Sequence, residues 1–101
     1  MFHEMRIYEA EPARLPVLIK RFTETNMNLF DKYGFSPIGY WIEEVGTPHR
    51  IIYILSWNTW EQRAASWQSF YEDPLWLESI EKNGPTVQRI QSSILTPIKF
   101  K

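Results

Sequence analysis

Between Phe2 and Glu9 apolar and polar side chains alternate: Met5 and Ile7 fall on one face, Glu4, Arg6 and Tyr8 on the other. That is the period of a strand whose second face is half-buried at most or meets a polar cavity. From Leu15 the period becomes helical. Leu15, Leu18, Ile19, Phe22, Leu29, Phe30 and Tyr33 fall mainly at i, i+3, i+4 and i+7, which leaves Arg14, Lys20, Arg21 and Glu24 for solvent. Pro12 suits the first turn, and Gly34 suits the left-handed residue that ends a helix. Two strands follow, predicted over Ile38 to Val45 and Arg50 to Trp57, around the turn Gly46-Thr47-Pro48-His49.

Parity in this hairpin carries most of the information. Ile38, Tyr40 and Ile42 share one face, and Gly39, Trp41, Glu43 and Val45 the other. In the second strand Ile52, Ile54 and Ser56 oppose Ile51, Tyr53, Leu55 and Trp57, so both faces are apolar, as in a central strand covered on both sides. A second helix begins at Asn58-Thr59, with Gln62 or Glu61 at capping-box spacing. Its stripe is Trp60, Ala64, Trp67, Phe70 and Tyr71; Asp73-Pro74 breaks it, and Leu75 to Lys82 resumes it. Thr86 to Ile98 is a last strand, with Pro97 tolerable at its end.

The order β-α-β-β-α-β predicts one α+β domain over residues 1–101: a ferredoxin-like four-stranded antiparallel sheet with two helices on one face. The other sheet face is left open and apolar, which monomers avoid. A homodimer in which two such sheets close a dimeric α+β barrel is the simplest cover.

Composition narrows the function. Apolar residues at 44% and charged residues at 23% belong to a globular domain, and 16% aromatics exceed what a small core readily hides. With no Cys, disulfides, thiolate metal sites and Cys nucleophiles are excluded. The opening Met1 to Glu9 has no basic flank and long apolar run, and Ile51 to Leu55 is too short to span a bilayer, so no membrane is expected and the cytoplasm is the default. Net charge is −1 and the densest basic groups are only Lys20-Arg21 and Lys99/Lys101, so nucleic acid is not an expected partner.

At this point a resemblance is visible. Glu4-Met5-Arg6-Ile7-Tyr8 resembles the opening motif of the NIPSNAP family, followed in order by Gly39-Tyr40-Trp41, Val45-Gly46, His49-Arg50-Ile51-Ile52-Tyr53, Glu61 with Arg63, and Ser92-x-Ile94-Leu95-x-Pro97. The set covers nearly the whole chain. The resemblance implies a dimeric α+β barrel, the architecture of small cofactorless monooxygenases and haem-degrading enzymes, and no settled activity. His49 stands where the family usually has Asn and Tyr53 where it often has His, so a mechanism built on those groups is not implied.

Arg6 and Tyr8 are the first candidates for chemistry. They are expected on the face turned away from the helices, where Arg can clamp a carboxylate or phosphate and Tyr can donate to a developing oxyanion; the alternative is an Arg6 that pairs with Glu4 or Glu9. Tyr53, Trp57 and Trp41 are candidate aromatic walls, with plain packing as the alternative. His49, in the hairpin turn, is a candidate general base or an idle surface histidine. His3-Glu4 opens like a zincin motif, but Ile7 takes the second His position on a strand, so no metal is expected, nor any cofactor. Two functions stay open. One is a small-molecule site in a homodimeric barrel, of cofactorless monooxygenase type, with a cavity beside Arg6. The other is a non-catalytic interaction module that exposes Trp67, Tyr71 and Trp76 on the second helix.

Overall fold

The register between two central strands decides what lies inside. A computed structural model describes residues 1–99; Lys101 of the basic tail falls outside them. β1 (Phe2–Ala10) pairs antiparallel with β3 (Arg50–Trp57), which sets Arg6 opposite Tyr53, Glu4 opposite Leu55 and Tyr8 opposite Ile51. β2 (Ser36–Ile42) joins the far side of β3, and β4 (Val87–Leu95) the far side of β1, in the antiparallel order β2-β3-β1-β4. The first helical layer is α1 (Leu15–Arg21), a π-helical turn (Phe22–Asn26) and α2 (Met27–Lys32); the second is α3 (Trp60–Glu72) and α4 (Pro74–Asn83). This is the expected ferredoxin-like βαββαβ arrangement.

Local chemistry sets the boundaries. Thr59 Oγ1 accepts from Gln62 N at 3.0 Å, while Gln62 Oε1 accepts from Asn58 N at 2.9 Å, so the start of α3 is closed from both directions. Asp73 separates α3 from α4: its Oδ1 accepts from Leu75 N at 2.8 Å, and Pro74 occupies the first turn that needs no N–H. Gly34, with φ 73, follows the last turn of α2, as expected.

The structure corrects several expectations. β2 ends at Ile42, and Val45 lies in the turn at 93% exposure. β4 stops at Leu95, short of the Thr-Pro pair that cannot continue a ladder. Arg21 is not solvated: the π turn inserts a residue into the helical register, and Arg21 and Asn26 lie buried with Phe22. Most consequential is β1. Glu4, Arg6 and Tyr8 are buried and bond to α3 and β3, so they face the helices rather than away from them. Their polar groups bond chiefly to side chains of β3, β4 and α3 beneath the helical layer. Met5 and Ile7 instead share the open face with Ile52, Ile54 and Trp41.

Much of the aromatic content goes to the core. Phe30 sits at its centre, with the rings of Phe22, Phe35, Tyr53, Trp67 and Phe70 at centroid distances of 4.6–6.0 Å. Edge-to-face and offset pairs of this kind add ~0.5–1.5 kcal/mol each beyond their buried area. The interaction-module reading expected Trp67 on the surface; it is buried among these rings.

Candidate functional site

Glu4 is the hub of the interior. It has no exposed surface, and its Oε1 accepts from Trp57 Nε1 at 3.0 Å, Trp67 Nε1 at 3.1 Å and Arg63 Nε at 3.0 Å. Its Oε2 accepts from Ser92 Oγ at 2.9 Å, Arg63 Nη2 at 3.0 Å and, more distantly, Arg6 Nη1 at 3.5 Å. Burial alone pushes the carboxyl up, but the bonds from Arg63, Trp67, Ser92 and Trp57 win and hold it at about 2. One carboxylate thus ties β1 to β3, β4 and α3.

Arg6 continues the network. Its guanidinium carbon lies 4.4 Å from the Trp67 ring centroid, its Nε donates to Tyr53 Oη at 3.0 Å, and its Nη2 to Tyr71 Oη at 3.4 Å. The Tyr53 and Tyr8 hydroxyls are 2.8 Å apart. Burial holds the Tyr53 phenol well above its ordinary pKa, so it stays protonated. Donor counting then gives a definite result. Arg6 fills one lone pair of Tyr53, and the contact between the two tyrosines uses one hydroxyl proton; the second hydroxyl proton has no acceptor among the described residues. The row Arg6–Tyr53–Tyr8 is a buried donor chain with one proton to give.

The predicted residues separate into groups. Arg6, Tyr8, Tyr53 and Trp57 come together on the helix-facing side. Trp41 stands on the opposite face of the sheet, lying over Gly39, where an added Cβ would meet its ring at 2.8 Å. His49 is exposed in the hairpin turn at φ 65, and its carbonyl accepts from Ala10 N at 2.9 Å. A cavity opens away from Arg6. A largely apolar groove of about 400 Å³ opens between the first helical layer and β2, lined by Ile19, Phe22, Met27, Tyr40, Trp41 and Ile42 together with Thr23, Glu44 and Ile51. Arg6 does not line it. Phe22 and Tyr40 separate it from the donor chain, with their ring centroids 5.1 Å and 6.1 Å from that of Tyr53.

Sequence reading missed Glu4 as a hub and Phe22, Met27 and Tyr40 as groove residues. One signal was present. The motif residues Glu4, Arg6, Tyr8, Arg63 and Ser92, scattered over the chain, belong to this one network. The family model of NIPSNAP proteins matches residues 3–101. This chain belongs to the NIPSNAP family. It is 24% identical over 97 residues to the protein NipSnap homolog of Dictyostelium discoideum, covering 96% of this chain but only 43% of that protein. Among solved structures it is similar to an uncharacterized NIPSNAP domain protein from Burkholderia xenovorans, with 23% identity, a TM-score of 0.86, and 100% of this chain and 98% of that one covered. It is also similar to a putative antibiotic biosynthesis monooxygenase from Nitrosomonas europaea, with 9% identity, a TM-score of 0.66, and 98% and 100% covered. At such identities the likeness to both structures is one of fold. Several residues of the NIPSNAP-like motifs thus meet in the buried carboxylate network. No helix among the described residues is long and apolar enough to cross a membrane, and no group of three or more His, Cys, Asp or Glu among them could hold a metal ion.

Proposed function

We propose that this NIPSNAP domain is a homodimer whose subunits each bind a small, mainly apolar molecule in the groove between the first helical layer and β2. The groove itself carries the reading. At about 400 Å³, with aromatic and aliphatic walls and a few polar groups, on Thr23, Tyr40 and Glu44, to orient a ligand, it has the size and chemistry of a small-molecule pocket. Of the residues singled out in the sequence, Trp41 lines it, and Tyr8 and Tyr53 pack behind its Phe22 wall. Met5, Ile7, Ile52 and Ile54 on the open sheet face support the dimer, because a second copy is the partner whose matching surface has the same apolar character.

The chemistry that fits this pocket is cofactorless oxygenation. A substrate with an acidic C–H or O–H supplies electrons to dioxygen; a C–H position becomes C=O, and the second oxygen atom leaves as water. The fold likeness to antibiotic biosynthesis monooxygenases supports it. His49, in the turn after β2, is not part of it.

Titration with a naphthol, followed by the ligand's own fluorescence, tests binding. Saturable binding is expected, weakened at least tenfold by Met27→Lys; binding unchanged in that variant would refute the groove. Oxygen uptake with a dihydroxynaphthalene tests the chemistry, and uptake no faster than without protein counts against it.

A further inference from the structure

A second site lies against the other side of the first helical layer, around Arg21. Its side chain is 7% exposed. Its Nη1 donates to Thr86 Oγ1 at 2.7 Å, and its guanidinium carbon lies 5.4 Å from the Trp76 ring centroid. These two contacts fix the plane of the group and leave its Nε–Nη2 edge unbonded among the described residues. Nε is buried with no hydrogen-bond partner, and no carboxylate among the described residues forms a salt bridge with Arg21. The buried guanidinium of Arg6, by contrast, has Glu4.

A buried, unpaired guanidinium is costly to keep, and its free edge is the side-on fork that matches a carboxylate or phosphate bidentately. Arg21 lies in a cleft of about 140 Å³ between the first helical layer and α4, where the exposed side chains of Lys20 and Lys82 add positive charge and those of Glu24 and Glu78 negative charge. Neither carboxylate bonds to Arg21. On the same helical layer, Asn26 is wholly buried, with neither side-chain polar atom hydrogen-bonded. The π turn brings both groups to the buried side, and such turns in helices recur at functional sites.

We infer that Arg21 is the floor of an oxyanion-binding site, taking the carboxylate or phosphate group of a small ligand through the cleft between the first helical layer and α4. Thr86 and Trp76 position the guanidinium, and the ligand supplies the negative charge that the chain withholds. Burial lowers the Arg21 pKa from its ordinary value, the direction a bound anion reverses. This site is separate from the apolar groove and stands whether or not that groove binds a ligand.

The test follows the Nε–H resonance of Arg21 in ¹⁵N spectra of the intact chain, assigned by its loss in Arg21→Lys. Inorganic phosphate and succinate are titrated separately against chloride at matched ionic strength. A saturable downfield shift with either oxyanion, absent with chloride, is the expected result, and the anion that gives it names the ligand's group. In parallel, that anion should raise the melting temperature of the native chain and leave Arg21→Met unaffected. An Nε–H resonance that moves equally with all three salts, or with none, would overturn the proposal.

Discussion

Arg63 grips Glu4 side-on, with Nε and Nη2 each 3.0 Å from a different carboxylate oxygen. The two residues join α3 to β1 across 59 positions of sequence. Glu4 also receives both indole N–H groups of Trp57 and Trp67, so the carboxylate fixes the aromatic core as well as the ion pair. A buried charge so fully bonded holds the second helical layer on the sheet.

Removing that charge should be expensive. Glu4→Gln keeps the shape but leaves Arg6 and Arg63 without their anion, which should cost ~3 kcal/mol, as for other broken buried pairs. Urea unfolding followed by Trp fluorescence measures it, and a loss below ~1 kcal/mol would show that the network is not the tie described.

Acid should act through the same group. The Glu4 carboxyl is held at about 2 in the fold against an ordinary 4.5, so the unfolded chain binds the proton more readily. The stability it contributes is complete above that ordinary value and is lost as pH falls through the window toward 2. A shift of this size corresponds to about 3 kcal/mol. Stability measured against pH should fall more steeply there in the native chain than in Glu4→Gln.

The tyrosine pair should respond asymmetrically. Tyr53→Phe leaves the buried Nε of Arg6 without an acceptor and should cost roughly 2–3 kcal/mol, whereas Tyr8→Phe loses one neutral bond worth about 1 kcal/mol. Equal costs from thermal or urea unfolding would contradict the donation of Arg6 Nε to Tyr53.

Association should depend on the open sheet face. Ile54, opposite Met5 in the β1–β3 ladder, is at the centre of that face, so Ile54→Lys should convert a dimer to a monomer in sedimentation at micromolar concentration without loss of secondary structure. A native chain that sediments as a monomer would refute the dimer outright.

What could be read from the sequence was periodicity; what could not was which partners compensate a polar face. The parity of β3 was legible residue by residue, because Ile51, Tyr53, Leu55 and Trp57 form one buried row. On β1 the same counting grouped Glu4, Arg6 and Tyr8 correctly but set them on the wrong side. Their compensating groups, Tyr53, Arg63, Trp67 and Ser92, lie 45 or more positions away, and no local pattern announces them. The π turn was hidden for a different reason. One added residue in a helix has no composition of its own, so Arg21 was expected in solvent and the cleft around it went unseen. The groove depends on register: Tyr40 joins Tyr53, and Trp41 stands on the open face, only once β2 is aligned on β3.

The claim that the groove is a binding site is tested most directly by a methyl spectrum of the intact chain with and without a saturating naphthol. Shifts confined to Ile19, Met27, Ile42 and Ile51, with Ile90 and Ile94 of β4 unmoved, are the predicted result. No shifts, or shifts centred on β4, would contradict it.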